Sequence, residues 1–191
     1  TALVFGTVHP QSIDALFEEA QDRNLRMIAG KVMMDRNCPE YLQDTVESSY
    51  QESKDLIERW HNTDRLQYAV TPRFAPTSTQ AQLNKAGQLL KEHPSVYLHT
   101  HLSENTDEIA WVKSLFPEST GYLDVYKSAG LLGRRSVFAH CIHLEDHEWS
   151  MLSESHSGIA FCPTSNLFLG SGLFDLKRAA TENIHVGLGT D

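Results

Sequence analysis

Short β-rich runs alternate with amphipathic helical stretches along almost the whole chain, and this alternation restricts the fold more than any other feature. The runs are Ala2 to Gly6, Met27 to Met33, Leu66 to Val70, Ser95 to His99, Val137 to His140, Gly158 to Phe161 and Ile184 to Leu188. Between them, Ser12 to Arg23 sets Ile13, Leu16 and Ala20 at helical spacing, and Tyr41 to Asn62 repeats Leu42, Val46, Ile57 and Trp60 on one face. Thr77 with Gln80 reads as a capping box ahead of Leu83, Ala86 and Leu90, and Asp107 to Phe116 and Glu145 to Ser155 are further helices. Successive strands joined by helical crossovers make a parallel sheet, because parallel neighbours need long connections.

Two parallel architectures compete. A doubly wound dinucleotide-binding sheet predicts a G-x-G-x-x-G turn after an early strand, and the chain has only Gly170-x-Gly172 late in the sequence. A (β/α)8 TIM barrel takes about 250 residues and rarely fewer than about 200. The fold expected for 191 residues with these runs is therefore α/β, an incomplete barrel holding about strands two to eight. No linker, charge block or internal repeat divides it, so residues 1–191 read as one partial barrel domain. With no initiator Met and apolar strand sequence at Ala2, we expect a piece of a longer protein.

Composition removes several function classes. Lys and Arg number 16 against 25 Asp and Glu, a formal net charge of -9, and the only adjacent basic pairs are Arg134-Arg135 and Lys177-Arg178. Nucleic-acid binding needs a basic stripe, so no nucleic acid is expected as partner. No apolar run reaches the roughly 18 residues of a membrane span, so no membrane partner is expected either. Cys38, Cys141 and Cys162 are odd in number and far apart, which suits a reducing cytoplasm better than a disulfide scaffold. A neutral or cationic small molecule is the easier ligand, and a homodimer is left open.

The chemistry gathers where the runs end. Val70 leads into Thr71-Pro72-Arg73-Phe74, Leu98 into His99-Thr100-His101 and Glu104, Ala139 into His140, and Leu188 into Gly189-Thr190-Asp191. In barrels the C-terminal strand ends form the active-site rim, where side chains from several strands converge. Imidazole nitrogen and carboxylate oxygen also suit a borderline metal such as zinc. Taken singly, each residue has a plain reading: His101 and His140 as surface or core histidines, Glu104 as a charge before a helix, Asp191 as a frayed end, Arg73 in a surface pair, Phe74 in the core. Cys141 and Cys162 read as small buried hydrophobes, and His9, His61, His93, His143, His147, His156 and His185 as surface residues.

His101-Leu-Ser-Glu104, His140 and Gly189-Thr-Asp191 together resemble strands five, six and eight of the amidohydrolase superfamily. Val32-Met-Met-Asp-Arg36, Thr71-Pro-Arg-Phe-Ala-Pro-Thr77, His99-Thr-His-Leu-Ser-Glu-Asn105 and Cys162-Pro-Thr-Ser-Asn-Leu-Phe-Leu-Gly-Ser-Gly172 are similar, in order and separation, to the guanine deaminase family within it. The resemblance implies one zinc ion per chain, with iron as the substitute, bound by His101 and Asp191. It implies that Asp191 accepts a proton from the attacking water, that His140 orients that water or the oxyanion, and that Glu104 shuttles protons. Arg73 and Phe74 would contact a purine, through its carbonyl oxygen and its face. The reaction implied is hydrolytic deamination of guanine to xanthine and ammonia.

The family's first-strand His-x-His pair, two further ligands, is expected upstream of Thr1, so the 191 residues alone are expected to be inactive. His99-Thr-His101 could itself be that pair, since alternate strand residues share a face. The preceding strands and the Glu that follows favour the fifth-strand reading, with His99 structural. The cytosine and adenine deaminases of the small zinc fold are disfavoured by the absence of His-x-Glu with Pro-Cys-x-x-Cys. Two alternatives stand: hydrolysis of another aminated heterocycle such as a triazine or pterin, by deamination or dechlorination, and a non-catalytic metal-binding or assembly module.

Overall fold

The computed structural model describes all 191 residues, which form two compact units. The first comprises Thr1–Arg73 and Thr77–His99, the second Phe74–Pro76 and Thr100–Asp191. All paired strands run parallel, as the alternation requires. No helix is long and apolar enough to cross a membrane.

In the first unit, β1 (Ala2–Phe5) leads through α1 (Pro10–Asp22) to β2 (Met27–Gly30) and a two-residue β3 (Val32–Met33). After a 3-10 turn at Glu40–Leu42 come α2 (Val46–Trp60), β4 (Leu66–Pro72), α3 (Gln80–Glu92) and β5 (Tyr97–Leu102), the last crossing into the second unit. The strand order is β1-β2-β4-β5, with β3 also pairing β4. Pro10 supplies the fixed φ suited to a helix start, and Thr45 with Ser48 closes a reciprocal capping box on α2. Ile13 and Phe17 of α1, Leu56, Ile57 and Trp60 of α2, and Leu83 and Leu89 of α3 turn their apolar stripe inward and are buried. Each such side chain contributes about 1.5 to 3 kcal/mol on removal from water.

Several local expectations change. The run from Met27 to Met33 splits at Lys31, whose backbone N–H donates to the Tyr68 hydroxyl at 3.2 Å. The cap of α3 is Thr79, whose hydroxyl accepts from Gln82 N, and not Thr77 with Gln80. Thr77 instead ends a 3-10 turn, and its carbonyl accepts from Asp35 N and Arg36 N at 3.0 and 3.3 Å. The strand expected over Ser95 to His99 begins at Tyr97 and runs to Leu102, so His101 lies inside β5 and not beyond it. Gly30 is required by close approach, since a Cβ there would stand 1.7 Å from the Ala69 carbonyl oxygen.

In the second unit, α4 (Thr106–Leu115) starts at an Asn105–Glu108 capping box. It is followed by α5 (Tyr122–Ser128), β6 (Ser136–His140) and α6 (Asp146–Ser155). β7 (Gly158–Phe161), α7 (Pro163–Leu169), α8 (Leu176–Thr181) and β8 (Val186–Leu188) complete the chain. Phe138 pairs with Ile159 and Phe161 with Leu188, so the strands end in step. The short helices α5, α7 and α8 carry no long periodic stripe and escape a reading based on hydrophobic spacing. Buried Glu108 accepts from the Tyr122 hydroxyl at 2.7 Å and buried Glu148 from Leu123 N at 2.8 Å, which ties α4, α5 and α6 together.

Lys31 is fully buried, with its ammonium 2.7 Å from Asp44 and 3.0 Å from Glu52. Burial raises the Asp44 pKa, and Lys31 opposes that rise. Removing the cation leaves the largely buried Asp44 carboxylate without its counter-charge, a change that typically costs about 3 to 5 kcal/mol. Lys31→Ala is therefore expected to lower the unfolding free energy of the full-length protein by about that amount, read from the urea midpoint. A loss below about 1 kcal/mol, the scale of exposed ion pairs, would show that water already screens the cluster.

Candidate metal centre

The ends of β5, β6 and β8 bring together three side chains of the second unit that carry atoms able to bind a metal, His101, His140 and Asp191, and those atoms all lie within 4.8 Å of one another. His101 Nε2 stands 3.7 Å from Asp191 Oδ1 and the His140 ring lies nearly parallel to that of His101, at 5.3 Å between centroids. His140 Nε2 faces Glu104 Oε2 at 3.7 Å and Asp191 Oδ2 at 3.9 Å.

Backbone conformation aims these groups. His140 and Cys141 are both left-handed, with φ of 71° and 55°, and Ser103 beyond β5 has φ of 49°. Left-handed backbone disfavours L-residues, but here it lets Cys141 N donate to Leu102 O at 2.9 Å and Ile142 N to Ser103 O at 3.0 Å. Those bonds lace the end of β6 to the end of β5. The Tyr126 hydroxyl donates to the His101 carbonyl at 2.8 Å. Before Asp191, Gly189 admits the buried Cys162 thiol, which a Cβ would meet at 2.8 Å.

The electrostatics divide the groups by role. Burial, with the neighbouring His101, pushes the His140 pKa down to about 4, so the ring is neutral near pH 7. The facing His101 and the Ser165 hydroxyl hold the Asp191 carboxyl well below the usual carboxylate range. Burial, then Glu108 and Asp191, raise the Glu104 pKa. His140 Nε2 and Glu104 Oε1 are buried and make no hydrogen bond within the protein. A neutral imidazole, an anionic carboxylate and inward polar atoms without internal partners fit a divalent cation with water around it.

The other candidates fall at different places. Phe74 is half-buried, edge-on to His101 at 6.5 Å and to Trp111 at 6.2 Å. Arg73 is exposed at the end of β4, its backbone N–H bonded to Met33 O at 3.3 Å. His99 is outside the cluster, with its ring 4.1 Å from that of Phe5. Cys141 and Cys162 are buried thiols, as expected. His61 and His143 depart from the surface reading: His61 Nδ1 accepts from Tyr68 N at 3.0 Å, and His143 Nε2 meets Ser171 O at 2.7 Å, so both are partly buried structural groups.

The sequence profile of the Amidohydrolase family matches residues 1–191. The chain belongs to the amidohydrolase family. Guanine deaminase of Escherichia coli strain K12 is 66% identical over 191 residues, which is 100% of this chain and 44% of the relative. The solved E. coli guanine deaminase superposes with a TM-score of 0.98, covering 100% of this chain and 45% of that one. Guanine deaminase from C. acetobutylicum with bound guanine in the active site has a TM-score of 0.95 at 34% identity, covering 99% of this chain and 45% of that one. The chain thus spans a little under half the length of these relatives. The fold class is the partial TIM barrel of its amidohydrolase neighbours, a family of metal-dependent hydrolases.

Residues to which motif spacing gave no role also make specific hydrogen bonds within each unit. Three consecutive residues near the start of α7 reach the candidate centre or its approach: Thr164 Oγ1 donates to Thr190 O at 3.3 Å, Ser165 Oγ to Asp191 Oδ2 at 2.6 Å, and Asn166 Nδ2 lies 2.9 Å from His140 Nδ1. In the first unit Asp35 accepts from Thr79 N and Oγ1 at 2.7 and 2.5 Å, staging the turn after Arg73. Their only sequence signal was membership of the quoted blocks.

Because Ser165 holds Oδ2, it turns Oδ1 of Asp191 toward His101. Ser165→Ala in the full-length protein is expected to weaken divalent-ion binding by about 10- to 100-fold, the effect usual for a residue that orients a ligand. Chelator competition measures it, and an unchanged affinity would show that the carboxylate needs no such anchor.

Proposed function

We propose that the full-length protein hydrolyses guanine at C2, releasing ammonia and leaving xanthine. The observation that carries the reading is the convergence of His101, His140 and Asp191 within 4.8 Å, with Glu104 beside His140. The 66% identity to E. coli guanine deaminase supports the substrate, as does the bound guanine named for the C. acetobutylicum enzyme.

In this reading His101 and Asp191 hold one zinc ion, with iron as the substitute, and two more imidazoles come from the rest of the full-length protein. The donor set of nitrogen and carboxylate oxygen suits such an ion. A bound ion of this class supplies Lewis acidity, lowering the pKa of water from about 15.7 to about 7. Asp191 accepts the proton that water gives up as it attacks. His140 orients the attacking oxygen. Glu104, whose pKa is raised by burial, gives its proton to the ring nitrogen, making C2 more electrophilic. It then relays the proton that Asp191 took from the water to the exocyclic amine, which leaves as ammonia, while the C2 hydroxyl gives up its proton to restore Glu104 and becomes the carbonyl. Arg73 meets the purine carbonyl and Phe74 packs near the ring. The free thiols of Cys38, Cys141 and Cys162 fit a cytoplasmic setting.

Glu104→Gln keeps the shape and removes the proton carrier. Turnover is expected to fall about 100- to 10,000-fold with metal content unchanged by elemental analysis. A variant within a factor of a few of wild type would move the proton to another group.

The substrate assignment is read by ammonia release from guanine, adenine, cytosine and an aminotriazine. Guanine is expected to be preferred, and Arg73→Ala to reduce that preference sharply, because a site built around a polar contact is penalised when the contact is unmade. Preference for another heterocycle overturns the assignment.

A further inference from the structure

We propose that Asn166 is a positioning residue that fixes His140 in the tautomer with its proton on Nε2, making this ring a hydrogen-bond donor to the reacting centre and not a metal ligand. The inference rests on the hydrolytic reading above and gives a role in that site to a residue for which the motifs implied none.

A neutral imidazole has one nitrogen that donates and one that accepts, and a ligand nitrogen must offer a lone pair. The His140 side chain is fully buried and Asn166 nearly so, so water does not choose the tautomer. Asn166 Nδ2 lies 2.9 Å from His140 Nδ1, and an amide nitrogen has only protons to give. Nδ1 must then be the acceptor, which leaves the proton on Nε2. The far side of the ring agrees with that arrangement. Nε2 faces two carboxylate oxygens, Glu104 Oε2 at 3.7 Å and Asp191 Oδ2 at 3.9 Å. An N–H directed there is favourable, whereas a lone pair would confront two acceptors. For a neutral ring, turning the amide over would put its oxygen against Nδ1, require the proton there and force that unfavourable lone pair inward.

The main chain that carries the amide is fixed: Asn166 N–H donates to Cys162 O at 3.0 Å and the main-chain carbonyl of Asn166 accepts from Ser171 N at 2.9 Å, while its neighbour Ser165 is tied to Asp191. The side-chain Oδ1 is buried without a partner, so the contact with His140 is what orients the amide. An aspartate in the same place would accept from Nδ1–H and turn the Nε2 lone pair inward. In the Ser-His-Asp triad the converse exchange, aspartate to asparagine, preserves geometry, inverts the tautomer and costs about 10,000-fold in turnover.

The test uses the full-length, metal-loaded protein with 15N-labelled histidine, the His140 signals being those lost in His140→Gln. Wild type is expected to show a protonated Nε2 and a bare Nδ1, and Asn166→Asp the reverse. For the Asp variant, kcat on guanine should fall about 100- to 1,000-fold, as for loss of one preorganised donor, with KM and metal content little changed. Asn166→Ala should show both tautomers and a smaller fall. A bare Nε2 in wild type overturns the inference, as does an Asp variant with wild-type tautomer and kcat. Should the Asp variant not fold, the wild-type and Ala spectra decide. The spectra do not depend on substrate: a protonated Nε2 in a protein inactive on guanine supports this inference and overturns only the guanine assignment.

Discussion

Parallel pairing is the constraint from which the candidate site follows. When neighbouring strands run the same way, their C-terminal ends fall on one side, and side chains far apart in sequence become neighbours there. In the second unit β6, β7 and β8 are paired in step, Ala139 with Ala160 and Phe161 with Leu188. His140 and Asp191 therefore leave the sheet at nearby points, with α7 springing from the strand between them. The strands supply a fixed spacing between their ends, with His101 inside β5 and His140 the last residue of β6.

On that spacing a second level of order is built by hydrogen bonds between strand exits. Cys141 N to Leu102 O joins β6 to β5, and Ser165 and Asn166 reach from α7 to residues at the ends of β8 and β6. The left-handed residues His140 and Cys141 are the conformational cost of the first link. The same environment separates the proton chemistry of neighbouring groups. Burial keeps His140 neutral and raises Glu104, while His101 and Ser165 hold Asp191 anionic. An imidazole with a proton to point, a carboxyl able to carry one and a carboxylate able to bind a cation thus stand within a few ångströms.

Much of this was legible in the sequence, for a physical reason. Apolar runs of parallel strands are long enough to recognise, and ionisable residues at their ends stand out against them, which is how His101, His140, Glu104 and Asp191 could be chosen. Boundaries were harder. The capping box read at Thr77 is displaced by two residues because Thr77 belongs to a 3-10 turn and α3 begins only at Gln80, which puts the Thr79 hydroxyl at the N-cap. β5 ran past His99 because the polar residues Thr100 and His101 sit in strand backbone without disturbing it. Asn166 was invisible for a different reason. Its partner lies 26 positions away, and no periodicity within a helix records which distant ring a single amide will meet.

The adjacency of Ser165 and Asn166 has a consequence for how this region can change over evolutionary time. An α-helix advances about 100° per residue, so two consecutive side chains can serve two targets only while the helix keeps its phase. One residue inserted between Phe161 and Ser165 would swing both groups away together, and a second insertion would not bring them back. The C-terminal turn of the same helix, where Leu167, Phe168 and Leu169 are exposed, is free of that demand. Variation here is thus steered toward replacing side chains and away from altering chain length, with α7 acting as a gauge whose zero is set by the end of β7.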